Sequence, residues 1–177
     1  MYDAMATKGT IGPPPADQDA IRKLNEKIKG IHFAMLTSVD DDGTLRSRPM
    51  ATLDVEFDGT LWFFTYADST KVEDISRHDH VSLAYARPGD KDWVSVSGTA
   101  RLVRDAPIMQ HLWKPSLSAW FPKGLHDPNL ALLEVTVKKA EYWDGPNSNV
   151  LTFVQRAKKA LTHDDTPLGE HEKLSFH

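Results

Sequence analysis

The residues whose types and spacing most clearly suit ligand binding are Ser69, Thr70 and Lys71. They follow the stretch "WFFTYAD" (62–68). Their position predicts two hydroxyls and an ammonium group at the start of a helix. The first amide hydrogens of a helix have no partner within it, and the aligned peptide dipoles favour negative charge there. Together these groups predict a phosphate-binding site. The alternative is that the serine and threonine only cap the helix, which is their more common role.

A second candidate group is the segment "RSRPM" (46–50), which lies on the strand before "TLWFFTY" (60–66). The Asp-Gly pair at 58–59 predicts a hairpin that would bring the two strands together. Proline donates no ladder hydrogen bond, so it frees backbone groups that can face a flat heteroaromatic ligand. We therefore expect Arg46 and Arg48 to converge on the predicted phosphate site. The alternative is that both arginines point into solvent.

Composition excludes several classes of function. The formal charge of -4 and the pI near 6.0 argue against a nucleic-acid or membrane partner. The absence of cysteine excludes disulfides, thiolate metal sites and cysteine nucleophiles. No apolar run has the length of a signal peptide core or a membrane span. We expect a cytoplasmic protein.

Other motifs give no metal or catalytic assignment. His78 and His80 fall at a predicted helix-to-strand junction, and "DDDG" (40–43) lacks the glutamate that ends a calcium loop. The sequence also has no nucleophile elbow and no glycine-rich dinucleotide fingerprint. We expect no metal site, and the catalytic residues, if any, are unknown.

The pattern of elements predicts one mainly β (α+β) domain at 17–145. It follows a proline-rich lead (1–16) and precedes a C-terminal helix (146–161) and a loose tail (162–177). Predicted helices begin at Asp17, at a Thr70/Glu73 capping box, and after Asp105. The predicted strands are 32–39, 44–57, 60–66, 80–86, 93–103 and 130–145. Short connections between them favour an antiparallel barrel over a doubly wound sheet.

The ordered set "RSRPM", a hairpin, "WFFT", "STK", "VSVSGTARLV" and "AEYWDG" resembles a known family. The resemblance covers residues 21–145. It is to FMN-binding split-barrel proteins related to pyridoxamine 5'-phosphate oxidase, and within them to the general stress protein 26 branch. It implies a six-stranded antiparallel split β-barrel with flanking helices. It also implies a homodimer with FMN at the subunit interface.

The resemblance also implies roles for individual residues. The FMN phosphate would be held by Arg48, Ser69, Thr70 and Lys71. The isoalloxazine ring would lie in a cavity formed by Pro49, Met50, Ala51, Phe64 and Thr65. Four tryptophans are further candidates: Trp93 at a flavin-contact position, Trp113 and Trp120 in a segment that covers the flavin, and Trp143, which would reach the flavin of the partner subunit.

One departure limits the function that the resemblance implies. The segment "WDGPNSNV" (143–150) lacks the arginine and histidine that grip substrate phosphate in pyridoxamine phosphate oxidases. We expect an FMN-dependent oxidoreductase that moves electrons between a reduced pyridine nucleotide, or another small donor, and an acceptor. The alternative is a non-catalytic stress protein that sequesters flavin or senses redox state. FAD, deazaflavin or haem in place of FMN, and a barrel that binds single-stranded nucleic acid, also stay open.

Overall fold

The computed structural model describes residues 15–145 and 171–176, which form a seven-stranded antiparallel sheet with flanking helices. The strands are β1 (Phe33–Val39), β2 (Leu45–Ala51), β3 (Thr60–Tyr66), β4 (His80–Arg87), β5 (Asp92–Val103), β6 (Leu130–Trp143) and β7 (His171–Ser175). The helices are α1 (Pro15–Ile28), α2 (Thr70–Arg77) and α3 (Ala106–Leu112), with 3-10 turns at Pro115–Ala119 and Gly124–His126. The predicted helix at 146–161 lies outside the described residues, as does the predicted lead up to residue 14.

The sheet is an open barrel whose strand order is β2-β1-β4-β5-β6-β3. Every pairing is antiparallel, and β2 and β3 end the path without pairing with each other. The α+β class and the split-barrel arrangement that the resemblance implies are therefore confirmed. Within the described residues, no helix has the length and apolar character that crossing a membrane requires.

The number of strands differs from the prediction. The sequence predicts a loose tail over 162–177, but residues 171–175 form β7, which pairs with the end of β6 from Trp143 to Lys139. Leu174 is buried in the main core, and the ring of Phe176 packs edge-on against Phe57 at 5.8 Å. Burial of these two apolar side chains stabilises the short strand. The residues around it are mostly polar, so the sequence pattern did not indicate a strand there.

The predicted hairpin at Asp58-Gly59 is wrong. β2 ends at Ala51 instead of continuing to residue 57, and β3 pairs with β6 from Thr60↔Thr136 to Tyr66↔Leu130. The connecting loop crosses the end of the barrel, because Phe57 is buried there and its amide donates to Asn25 Oδ1 at 3.2 Å. The chain therefore carries β3 to the opposite edge of the sheet.

Two apolar clusters lie on opposite sides of β3, because neighbouring strand residues point to opposite faces. Phe63 belongs to the main cluster inside the barrel, together with Leu36, Leu83, Val96 and Val135. Phe64 belongs to a second cluster under the segment from α3 to the 3-10 turns. Both faces of β3 are thus packed against apolar side chains.

The helix boundaries differ slightly from the predicted ones. α1 begins at Pro15, two residues before the predicted cap, which suits the fixed backbone angle of proline in a first turn. The N-cap of α2 is Ser69, and Glu73 pairs with Arg77 at 2.6 Å instead of closing a capping box. The predicted cap of α3 is confirmed, because the Asp105 carboxylate accepts from the amide of Ile108 at 3.0 Å.

Candidate functional site

A cavity of about 220 Å³ lies where the end of β2 faces β3 and the start of α2. It brings together six of the residues that the resemblance assigns to a flavin site: Arg48, Pro49, Met50, Ala51, Phe64 and Lys71. These residues meet although β2 and β3 do not pair. Curvature of the open barrel brings β2 near β3 without pairing them, so these residues become neighbours without the predicted hairpin.

Lys71 supplies one positive charge at this cavity. Its Nζ donates to Thr65 Oγ1 at 3.1 Å, and no carboxylate of the described residues lies within 4 Å of it. Burial lowers the pKa of Lys71, and the nearby charge of Arg48 lowers that pKa further. The lysine is thus a partly desolvated cation without a protein anion, which is the state that favours an external anionic ligand.

Arg48 supplies the second charge, and a buried network fixes its position. The guanidinium donates to Ser38 Oγ at 2.6 Å and lies 3.3 Å from an Asp74 carboxylate oxygen. Ser38 donates to the same oxygen at 2.9 Å. Ser38 and Asp74 are 0% and 4% exposed, so water does not compete with Arg48 for their hydrogen bonds.

Ser38 and Asp74 are site residues that the sequence prediction missed. The spacing could have indicated Asp74 as a site residue, because a position three residues after Lys71 lies on the same face of α2. Nothing about Ser38 in the strand pattern distinguishes it from an ordinary buried serine. Arg46, in contrast, does not join the site, because it pairs with Asp40 at 3.0 Å in the β1–β2 turn.

The hydroxyls of Ser69 and Thr70, at the start of α2, have different surroundings. Ser69 is the N-cap, but its side chain makes no capping hydrogen bond and its Oγ lies 3.4 Å from Thr65 Oγ1. The Ser69 hydroxyl is therefore available beside Lys71, and a pure capping role is not supported. Thr70 is exposed and, like Ser69 and Thr65, is absent from the cavity wall.

The rest of the wall is apolar and aromatic. Besides the predicted residues it contains Phe33, Leu117, Trp120 and Phe121, of which only Trp120 was named from the sequence. Trp120 is 59% exposed and meets the ring of Phe33 edge-on at 5.9 Å. A wall of this kind suits a flat ring, with the polar end of the ligand at the two cations.

The other tryptophans lie outside the cavity. Trp113 packs edge-on against Phe64 at 5.3 Å in the second core cluster, behind the wall. Trp93 and Trp143 face each other across β5 and β6 and are 46% and 38% exposed. Leu130 is at the end of β6 that lies near Lys71, and Trp143 is thirteen residues further along the strand. This separation corresponds to about 40 Å along β6.

The geometry therefore favours binding over acid–base chemistry. Its two cations, with the Ser69 hydroxyl beside one of them, suit a phosphate, whereas the described part of the chain contributes no carboxylate and no histidine to the wall. Across residues 15–145 and 171–176, no group of three or more histidine or acidic side chains is placed to hold a metal ion.

Comparisons with known proteins place the chain in a family. The sequence pattern of the family described as "Pyridoxamine 5'-phosphate oxidase like" matches residues 19–167. Protein bli-3 of Neurospora crassa is 33% identical over 171 residues, which cover 91% of this chain and 81% of that protein.

Two solved structures resemble the fold. The general stress FMN/FAD binding protein of Xanthomonas citri is 30% identical with a TM-score of 0.62, and the match covers 75% of this chain and 92% of that one. General stress protein 26 of Bacillus anthracis is 25% identical with a TM-score of 0.60, and the match covers 71% of this chain and 92% of that one.

We predict that Lys71→Gln raises the free energy of unfolding when no phosphate ligand is present, because burial and Arg48 both penalise the charged lysine. A folded-state pKa below the ordinary 10.5 means that the unfolded chain holds this proton more tightly. The penalty is therefore full at neutral pH and disappears as the pH rises towards 10.5.

Urea unfolding of the ligand-free protein at pH 7 and pH 10 measures this effect. Lys123→Gln is the control, because Lys123 is exposed and does not line the cavity. A Lys71→Gln protein that is less stable than the wild type at pH 7 would show that the lysine contributes to folding instead.

Proposed function

The chain belongs to the pyridoxamine 5'-phosphate oxidase-like family, and we propose that it is an FMN-binding flavoprotein with oxidoreductase activity. The observation that carries the proposal is the pair of cations, Lys71 and Arg48, at one end of an otherwise apolar cavity. A terminal phosphate matches the cations, and a flat ring matches the wall. The FMN/FAD binding of the Xanthomonas citri relative supports the same assignment.

The residues of this chain would bind and orient the cofactor. Asp74 and Ser38 hold Arg48, and the phosphate would be bound by the remaining N–H groups of Arg48 together with Lys71 and Ser69 at the start of α2. Pro49 interrupts the donors of β2 at the place where the backbone would run along the ring. Bound FMN would supply the redox chemistry, and the protein would supply position and electrostatics.

We further propose that a second copy of the chain completes the site. The cavity of about 220 Å³ is smaller than a usual ligand pocket of roughly 300–1,000 Å³. The cross-strand register places Phe33, Met35, Trp93 and Trp143 on one face of the sheet, each more than a third exposed. Such an apolar face is typical of an interface, and it would bring Trp143 of one subunit towards the other subunit's flavin.

The reaction would be electron transfer between a reduced pyridine nucleotide, or another small donor, and an acceptor. Pyridoxamine phosphate oxidation is not proposed, because the segment after Trp143 lacks the arginine and histidine that would hold that substrate. A cysteine-free chain is compatible with the reducing cytoplasm, where we place the protein, with no nucleic-acid or membrane partner.

A non-catalytic role is the second candidate. Among the residues that the structure describes, Lys71 and Arg48 are the only ionisable side chains in the wall, so these residues offer no evident general acid or base there. A protein that stores flavin or reports redox state needs only the binding groups. The two functions share the cofactor and differ in turnover.

We predict that Lys71→Ala weakens FMN binding by about 1–3 kcal/mol, roughly 5- to 150-fold in Kd, because it removes a charge-assisted hydrogen bond to the phosphate. Riboflavin lacks that phosphate, so its Kd should be unchanged. Flavin fluorescence titration measures both ligands, with Lys123→Ala as the control. Equal losses for FMN and riboflavin would make the lysine structural and remove the phosphate assignment.

We predict that the FMN-loaded protein oxidises a reduced pyridine nucleotide in the presence of a dye acceptor. The rate should follow the fraction of sites loaded, so Lys71→Ala should lose activity at low FMN and regain it at saturating FMN. Stopped-flow absorbance measures reduction of the bound flavin by the pyridine nucleotide, and steady-state absorbance measures turnover with the dye acceptor. Full FMN occupancy without turnover above that of free FMN would favour the storage or sensing role.

We predict that a mixed dimer of Trp143→Ala and Lys71→Ala chains binds one FMN with wild-type affinity. If Trp143 acts across the interface, one site of the mixed dimer carries both defects and the other carries neither. Differently tagged chains allow its purification, and titration with FMN gives the stoichiometry. Two sites with one intermediate defect each would show that Trp143 acts within its own chain, and a monomer that binds FMN tightly would end the interface proposal.

A further inference from the structure

A second and larger cavity, of about 570 Å³, lies beside the first half of β3 and shares no lining residue with the site described above. It is enclosed by the C-terminal end of α1, the loop at 52–57, the first half of β3 and Tyr85 of β4. Residues 60–63 of β3 line this cavity and Phe64 lines the first, so the two cavities meet different parts of the strand. Its volume falls within the range of small-molecule sites in proteins.

The inner wall of this second cavity is apolar. Ile31, Phe57, Leu61 and Phe63 are each at most 9% exposed. The charged residues of the lining, Lys29, Asp54 and Glu56, are exposed, and so is His32. A ligand that fills the inner part would therefore be uncharged there, because no side chain could compensate a buried charge.

Tyr85 places a hydroxyl in this wall that has no hydrogen-bond partner among the described residues. Tyr85 is 2% exposed, and within the part of the chain that the structure describes its hydroxyl makes no hydrogen bond. Burial raises the pKa of Tyr85, so the hydroxyl keeps its proton at neutral pH and is a donor. The hydroxyl is not among the fully buried, unpartnered atoms of the described residues, so it keeps accessible surface at the cavity and can donate to a ligand there.

A second donor lies in the same wall. The side-chain oxygen of Asn25 accepts from the amide of Phe57 at 3.2 Å, which fixes the orientation of the side-chain amide. Its NH₂ group donates to no acceptor among the residues that the structure covers. Both groups can donate at an apolar wall, so an acceptor oxygen, such as a ketone or quinone carbonyl, suits them.

We propose that this cavity is a binding site for an uncharged compound of two or three fused rings with a carbonyl oxygen. The rings pack against the apolar inner wall, and the carbonyl accepts from the Tyr85 hydroxyl. The site is separate from the flavin cavity and does not depend on the function proposed for it, because the two cavities share no lining residue.

A matched pair of probes tests the proposal. 1-Tetralone and tetralin have the same fused-ring skeleton, and only the first has a carbonyl. Trp62 lines the cavity, so binding should quench part of the tryptophan fluorescence, and Trp62→Phe should remove that part. Calorimetry gives both dissociation constants without relying on fluorescence.

The expected result is selective. Tyr85→Phe keeps the ring and should raise the Kd of 1-tetralone roughly 3- to 10-fold, the equivalent of one hydrogen bond, while tetralin binding is unchanged. Tyr142→Phe is the control, because Tyr142 is equally buried but its hydroxyl bonds to Glu172 at 2.7 Å outside the cavity. Saturating FMN should not change the Kd of 1-tetralone.

Three outcomes would overturn the proposal. The first is no binding of 1-tetralone at millimolar concentration to the folded wild-type protein. The second is an equal loss of both probes in Tyr85→Phe, which would mean that the hydroxyl only maintains the packing. The third is displacement of 1-tetralone by FMN, which would place the probe in the flavin cavity.

Discussion

The buried contact between Asp74 and Arg48 is the interaction on which the arrangement of the site depends. Arg48 and Lys71 lie close enough for the first to lower the pKa of the second, so their repulsion opposes the fold. Asp74 balances one of these charges from inside the protein, and Ser38 bonds to both partners. Removing one member of such a buried pair typically costs about 3–5 kcal/mol, because the other charge is left uncompensated.

This contact also joins three parts of the chain that are distant in sequence. Ser38 is on β1, Arg48 on β2 and Asp74 on α2, so the polar network fixes the helix start relative to the edge strand. The charge that remains unbalanced is that of Lys71. A site built in this way has one net positive charge in a partly dry setting, which suits a phosphate better than a neutral ligand.

The open edges of the barrel explain why both cavities occur beside β3. A closed barrel would have paired β2 with β3 and filled the space between them with ladder hydrogen bonds and packed side chains. In this chain the two edges stay apart, and two cavities with no common lining residue lie beside β3. Phe64 lines the cavity that contains the two cations, and residues 60–63 line the cavity that contains Tyr85. One strand thus contributes to two chemically different surfaces.

Much of the fold was predictable from local patterns, because strand alternation, helix capping and turn residues act over a few positions. The sequence by itself determined the helix start that presents Ser69 and Lys71, the Asp105 cap, and the strands from β3 to β6 within a few residues. It did not determine that β3 pairs with β6, that residues 171–175 add a strand, or that Asp74 holds Arg48. Those features depend on burial and pairing between distant segments, whose free energy exists only when the whole barrel forms.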